Sequence, residues 1–331
     1  MTESQFSVLI VGAGAIGASY DTPESEYILT HAHAFSAHPG FNLLGFVDID
    51  LERVQGAAQL WGCKAFGSVE EAVEKEKIDI ICIAVPDDLH YTLLKEVSAL
   101  SLKAVFTEKP LTKTIREAEE IVAIYGNRMV PVCVNYKRSF VPEFESLRDK
   151  IKRGTFGKYL TGTGYYGKGL LHNGSHLLHL LCFLIGDIVE HTVVASENDF
   201  YSDDPSISAT LIFDNQKLFN LHHISCSHFT IFEIDLIFEN GRVRITDTGF
   251  KIEYHAIVEH NIFKGYNCLT KSEEINTLMG KSLYYSANNI YNHLTHEEPL
   301  KCTLHDAFKA MLICDKIQSS VRTNLQRDAP E

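Results

Sequence analysis

The feature that most constrains this chain is an alternation of apolar strands and amphipathic helices filling its N-terminal part. Strand candidates lie at residues 6–11, 41–47, 78–84, 104–107 and 130–134, with helical stretches near 26–37, 51–61, 69–75, 89–99 and 115–124. The strands are continuous β-branched and apolar runs, such as Val8-Leu9-Ile10-Val11, which is how strands buried on both faces read. Alternation at this pace implies βαβ crossovers and a doubly wound parallel sheet.

After Tyr136 the pattern changes. A helix over residues 141–153 meets the stop Gly154-Thr155-Phe156-Gly157, and a strand over 159–166 leads into a very apolar helix at 170–184. Extended segments then follow at 193–194, 209–213, 218–223, 230–238 and 243–246. They are punctuated by the turn signals Asp214-Asn215 and Glu239-Asn240-Gly241, and helices return at 283–294 and 305–321. That succession reads as mostly antiparallel sheet. With 331 residues, the expectation is two domains. Residues 1–137 would form the α/β domain and 138–331 an α+β domain, with the C-terminal helix returning to pack on the first.

Composition narrows the partners. The formal charge of −13 repels phosphate backbones and anionic lipid, so nucleic acid and membranes are not expected partners. No apolar run reaches the ~18 residues of a membrane span. Residues 1–5 carry no basic or apolar export signal, so a cytoplasmic protein is expected. The eight cysteines contain no Cys-x-x-Cys pair, and several sit in apolar runs, as buried reduced thiols would.

The first strand runs directly into Gly12-Ala13-Gly14-Ala15-Ile16-Gly17. Behind a strand and ahead of a helix, this spacing is the fingerprint of a dinucleotide-binding Rossmann domain. Gly12 makes the tight turn, Gly14 lets backbone approach a pyrophosphate, and Gly17 lets helix and strand pack closely. The amides of Gly14, Ala15 and Ile16 and the helix dipole then face the phosphates. A glycine-rich turn without a ligand is the competing interpretation. Asp48, at the tip of the second strand, would accept the adenosine ribose hydroxyls and repel a 2′-phosphate, favouring NAD over NADP. Asp50 is assigned to capping the next helix.

Asp48 lies about ten residues further from the glycines than the usual ~20. The excess reads as an insertion over residues 18–27, with Thr22-Pro23 as N-cap and first residue of a restarted helix.

Three further motifs occur in order: Val85-Pro86-Asp87-Asp88-Leu89-His90, Glu108-Lys109-Pro110, and Gly169-Leu170-Leu171-His172-Asn173-Gly174-Ser175-His176. With Asn135-Tyr136-Lys137-Arg138 between the domains, the chain resembles the Gfo/Idh/MocA family, named for glucose–fructose oxidoreductase and inositol dehydrogenase. The resemblance implies a Rossmann domain followed by an α+β domain with a large, mostly antiparallel open sheet. That sheet often mediates homo-oligomers, here a dimer or tetramer.

The residues support a site independently of the resemblance. Ligands of a doubly wound sheet bind beyond the carboxyl ends of its strands, so Val85, Pro86, His90, Glu108 and Lys109 are expected to border the nicotinamide. There a Lys can stabilise the alkoxide that develops as hydride leaves. Pro110 is expected to hold the lysine backbone in an unusual conformation, a cis bond being one option; a surface Lys at a strand end with Pro110 as a turn former is the alternative.

His172, His176 and His179 lie at i, i+4 and i+7. They read as helix residues at a domain interface, as chelators for zinc, or as a site in which His176 is a general base. No carboxylate or Cys nearby completes a metal set, and none is assigned. The resemblance implies the third role, because sugar-handling members carry Asp-x-x-x-His here. This chain has His172 where that Asp stands and His179 where a second Asp is common. His172 or Asn173 is then left to contact substrate. Arg138, Tyr165 and Tyr166 either line a sugar pocket or pack an interface.

The leading expectation is an NAD-dependent oxidoreductase acting on a secondary alcohol or ketone of a sugar, cyclitol or nucleotide-sugar, with catalytic Lys109, His176 and His172. A dinucleotide-binding regulator without turnover is the rival, and the His at position 172 keeps it in play. A metal-dependent hydrolase built on the histidines has little support.

Overall fold

The structure is a computed structural model and describes residues 5–327, with side chains to residue 321. The chain divides into two compact units. The first runs to Phe140 and takes back Gly280–Lys309; the second holds Val141–Met279 and the chain from Ala310 onward.

The first unit contains, in chain order, β1 (Phe6–Val11), α1 (His31–Ala37), β2 (Phe41–Val47), α2 (Leu51–Trp61), β3 (Lys64–Phe66) and α3 (Val69–Lys75). It continues with β4 (Ile80–Ile83), α4 (His90–Val97), β5 (Ala104–Thr107), α5 (Ile115–Gly126) and β6 (Val132–Val134). The six strands are all parallel in the order β3-β2-β1-β4-β5-β6. Val8, Leu9 and Ile10 of β1 and every residue of β4 are fully buried. Each such aliphatic side chain contributes roughly 1.5–3 kcal/mol on burial, so the apolar runs become the central strands. Side-chain caps start the helices: Asp50 for α2 as expected, Ser68 for α3, and a Thr114/Glu117 capping box for α5. Strand order reverses between β1 and β4, which opens a crevice at their carboxyl ends.

The restart of the interrupted helix differs from the expectation. Residues 22–25 form a turn, closed by the Ser25 amide donating to the Thr22 carbonyl. The helix begins at His31, capped by the Thr30 hydroxyl on the His33 amide. Both threonines are acceptable caps, but the Thr22 hydroxyl pairs with Ser25 within its turn, while Thr30, held by Asp21, caps the helix.

The second unit contains α6 (Pro142–Lys152), β7 (Tyr159–Tyr166), a π-helical turn at Leu170–Gly174 and α7 (Ser175–Leu184). Then come β8 (Ile188–Glu197), β9 (Ser206–Phe213), β10 (Leu218–His223), β11 (Glu233–Phe238), β12 (Gly241–Thr246), β13 (Lys251–Glu259) and β14 (Asn267–Asn276). The order is β14-β13-β12-β11-β7-β10-β9-β8; β7 and β10 run parallel and the other neighbours antiparallel. Burial alternates along β11 and β12, so one face of the sheet takes the core, against which the α7 leucines pack. Of the remaining helices, α8 (Ser282–His296) belongs to the first unit, and α9 (Leu304–Arg327) begins in the first and ends in the second. All eight cysteines are free thiols, four of them buried.

Candidate active site

The glycine turn follows β1 directly. Gly12 has φ of +105°, and a Cβ there would stand 2.4 Å from the Ala84 carbonyl oxygen. At Gly17 a Cβ would stand 2.0 Å from the Gly12 carbonyl oxygen. Both positions therefore admit only glycine. Gly14 is different, because a Cβ there would meet nothing within 4 Å. It borders a cleft of about 460 Å³ lined by Ala13, Gly14, Ala15, Ala18, Ser19, Arg53, Gly56, Ala57 and Leu60. Ala15–Ser19, including Ile16, is a single π-helical turn. A turn this short offers its opening amides rather than a long helix dipole.

Asp48 stands at the tip of β2. Its Oδ2 accepts the Ala13 amide at 2.8 Å and its Oδ1 the Asp50 amide at 3.0 Å. Arg53 Nη1 lies 3.4 Å from the same carboxylate. Arg53 escaped the sequence analysis because it sits on α2, three residues past the cap. Open glycine, amides and carboxylate together fit a dinucleotide. Gly14→Val is accordingly expected to leave folding stability unchanged and to weaken NAD binding at least ~10-fold, since its side chain fills the cradle alone. Thermal denaturation and NAD titration check this, and unchanged affinity would place the cofactor elsewhere.

Beyond β4 and β5 the two expected turns are adjacent. His90 joins them: Nδ1 lies 2.7 Å from the Pro110 carbonyl oxygen and Nε2 3.0 Å from that of Val85. His90 is buried and both ring nitrogens face backbone, so it braces the turns and does not present to a cofactor as expected. Pro86 is exposed and Val85 half-buried. The Lys109–Pro110 peptide is cis, the option raised from sequence. Glu108 accepts from His31 Nε2 at 2.9 Å and from Asn135 Nδ2 at 2.7 Å.

Basic groups gather around this corner. Burial pushes the Lys137 amine down to about 8; Arg138 and Lys109 add to that, and Glu108 opposes it. Lys137 is a candidate functional residue that the sequence analysis named only within a motif. Arg138 is buried, consistent with packing.

In the second unit the junction between the π-helical turn and α7 falls between His172 and His176. Asp204 fixes this turn, with Oδ1 accepting the Leu171 amide at 2.9 Å and Oδ2 the His172 amide at 2.8 Å. A Cβ on Gly169, at φ +81°, would meet Asp204 Oδ2 at 2.1 Å. The Tyr201 hydroxyl lies 3.2 Å from His172 Nε2. His176 is half-buried and His179 buried. Asn173 donates to the Gly167 carbonyl oxygen at 2.9 Å, which ties up part of its amide in the turn.

Tyr166 corrects the sequence expectation. It is fully buried in the core, and its hydroxyl donates to the Ile207 carbonyl and accepts the Ile207 amide. Tyr165, its neighbour on the opposite face, is exposed and stacks on His222. Among the described residues, no group of three or more His, Cys, Asp or Glu could hold a metal ion, and no helix is long and apolar enough to cross a membrane.

A family model described as oxidoreductase family, NAD-binding Rossmann fold, matches residues 6–136. Inositol 2-dehydrogenase from Corynebacterium glutamicum is 28% identical over 159 residues, covering 47% of this chain and 44% of the relative. The rhizopine catabolism protein MocA from Rhizobium meliloti is 28% identical over 154 residues, 46% and 44% of the two chains. The match thus spans less than half the length of these curated relatives. The WlbA dehydrogenase from Bordetella pertussis, solved with NADH and UDP-GlcNAcA, superposes with a TM-score of 0.80 at 17% identity, covering 98% of this chain and 97% of that one. An oxidoreductase from Agrobacterium radiobacter, solved with NAD+, L-tartaric acid and magnesium, gives 0.78 at 14% identity and 97% of each chain. At such identities the likeness is one of fold. Over residues 6–136 this chain is similar to the Gfo/Idh/MocA oxidoreductases, and the match falls on their NAD-binding Rossmann domain.

Proposed function

We propose that the protein is a cytoplasmic, NAD-dependent oxidoreductase acting on a secondary alcohol or ketone of a sugar, cyclitol or nucleotide-sugar. The observation that carries this is the lysine just past the carboxyl end of β5, set beside a largely buried carboxylate at the ligand edge of a dinucleotide-binding sheet. Relatives named as inositol dehydrogenase support the substrate class. Bound NAD would supply the hydride acceptor. Lys109 hydrogen-bonds the reacting oxygen and stabilises the alkoxide, and His176 takes the hydroxyl proton. His172 and its Tyr201 partner bind the substrate beside it. Formation of NADH across a panel of polyols and nucleotide-sugars tests this, and saturable NAD binding with no turnover on any of them would favour a regulatory protein. The observation on that side is His172, which cannot orient an imidazolium as a carboxylate does.

NAD is the cofactor, with NADP disfavoured by Asp48. A 2′-phosphate beside this carboxylate is a like-charge contact, which Arg53 partly offsets. NAD is therefore expected to bind at least ~10-fold more tightly than NADP, and Arg53→Ala to widen the gap. Titration with both nucleotides checks this; equal or tighter NADP binding would contradict the role of Asp48.

We also propose a homo-oligomer, dimer or tetramer, formed through the face of the second sheet that carries Tyr165 and His222. The exposed stacked pair supports that face. Light scattering reads the molar mass, and a monomer would contradict it.

A further inference from the structure

The corner behind Lys109 is assembled from distant parts of the first unit. Glu108 Oε1 takes both the His31 and Asn135 bonds, while Oε2 accepts the Lys109 amide at 3.3 Å. His31 has no exposed surface and stands edge-on to the Phe106 ring of β5, centroids 5.0 Å apart. A carboxylate only accepts, so the facing Nε2 carries the proton.

His31 reaches this position by way of the inserted segment. Asp21 accepts the Leu29 amide at 2.6 Å, the Thr30 hydroxyl and His33 Nδ1 at 2.8 Å, closing the segment onto the start of α1. Trp61 packs on His33 at 5.6 Å between centroids and donates to the Ala18 carbonyl at 2.9 Å. The insertion that interrupts the first helix thus ends by delivering His31 as its first restarted residue.

A buried carboxylate without partners takes up a proton. Burial pushes Glu108 up, but the His31 hydrogen bond and charge, the Asn135 bond and the Lys109 charge together bring it down to about 2. The other titratable groups around it are Lys137 and the buried Cys82.

We propose that His31 is a positioning residue for Lys109: its Nε2–H holds the Glu108 carboxylate, and that carboxylate fixes the Lys109 backbone. The inserted segment is then part of the active-site scaffold. The proposal rests on the assignment of Lys109 to the reaction.

The test compares His31→Phe, which keeps a ring and loses the donor, with His31→Gln, which restores an N–H, and with Lys109→Ala. His31→Phe is expected to lower kcat roughly 10- to 100-fold, with KM and NAD affinity within a few-fold, and His31→Gln to recover most of the loss. Should the Phe variant fail to fold, His31→Asn, whose amide is too short to reach Oε1, takes its place. Carbon-13 NMR of the Glu108 carboxyl gives a readout independent of turnover. It is expected to stay ionised into strong acid in the wild type and to take up its proton at clearly higher pH in His31→Phe. Normal kcat in His31→Phe alongside a dead Lys109→Ala overturns the proposal alone, as does an unmoved Glu108 titration. Normal turnover in Lys109→Ala overturns the catalytic assignment itself, and the positioning role with it.

Discussion

Replacing Lys109 with Ala is expected to cut turnover by ~10²-fold or more, the scale of losing a polar group aimed at developing charge. NAD affinity should stay within a few-fold, because Gly14, the Ala15–Ser19 turn and Asp48 lie at β1 and β2, away from the end of β5. The loss should fall on kcat rather than on cofactor binding. Steady-state kinetics with NAD titration separates the two, and near-normal turnover would move the chemistry away from the fifth strand.

The second large effect separates the histidines. His176→Ala is expected to remove most of the turnover while leaving NAD bound, because it removes the proposed proton acceptor. Oxidation needs a neutral acceptor, so the wild-type rate should rise with pH as an imidazole loses its proton, and the variant should lose that rise. His172→Asn should cost less in rate and more in substrate affinity, since its ring is paired with Tyr201. Turnover, KM and pH profiles of both variants decide. A dead His172→Asn beside an active His176→Ala would place the acceptor one helical turn earlier.

The parts of the fold legible in the sequence are those where burial leaves a one-dimensional mark. β1 and β4 are covered on both faces, and such strands cannot avoid reading as apolar runs. β14 gave no such mark: it is exposed along almost its whole length, and Thr270-Lys271-Ser272-Glu273-Glu274 carries no alternation to find. β3 is only Lys64-Ala65-Phe66, too short to show a period.

The same reasoning divides the site. Gly12, Gly14 and Gly17 were legible because their spacing encodes local geometry; in the structure a Cβ at Gly12 or Gly17 would strike a backbone carbonyl, whereas Gly14 faces open space. Tyr166 was misread because a strand period of two separates Tyr165 from Tyr166 without saying which face is the core. The partners of the motif residues were invisible for another reason. His31 meets Glu108 across 77 residues, Asp204 meets His172 across 32, and Tyr201 meets that histidine across 29. No local pattern carries such contacts.

The central claim is that hydride passes between a carbinol carbon and a nicotinamide held by the first unit. The most direct measurement follows the label itself: the protein is mixed with NAD and with polyols or nucleotide-sugars deuterated at their carbinol carbons, and the nucleotide is recovered for mass spectrometry. Deuterium is expected in the reduced nucleotide with wild type and at least ~10²-fold less of it with Lys109→Ala. NAD that binds saturably and is recovered unlabelled from every substrate in the panel would contradict an oxidoreductase and leave a dinucleotide sensor.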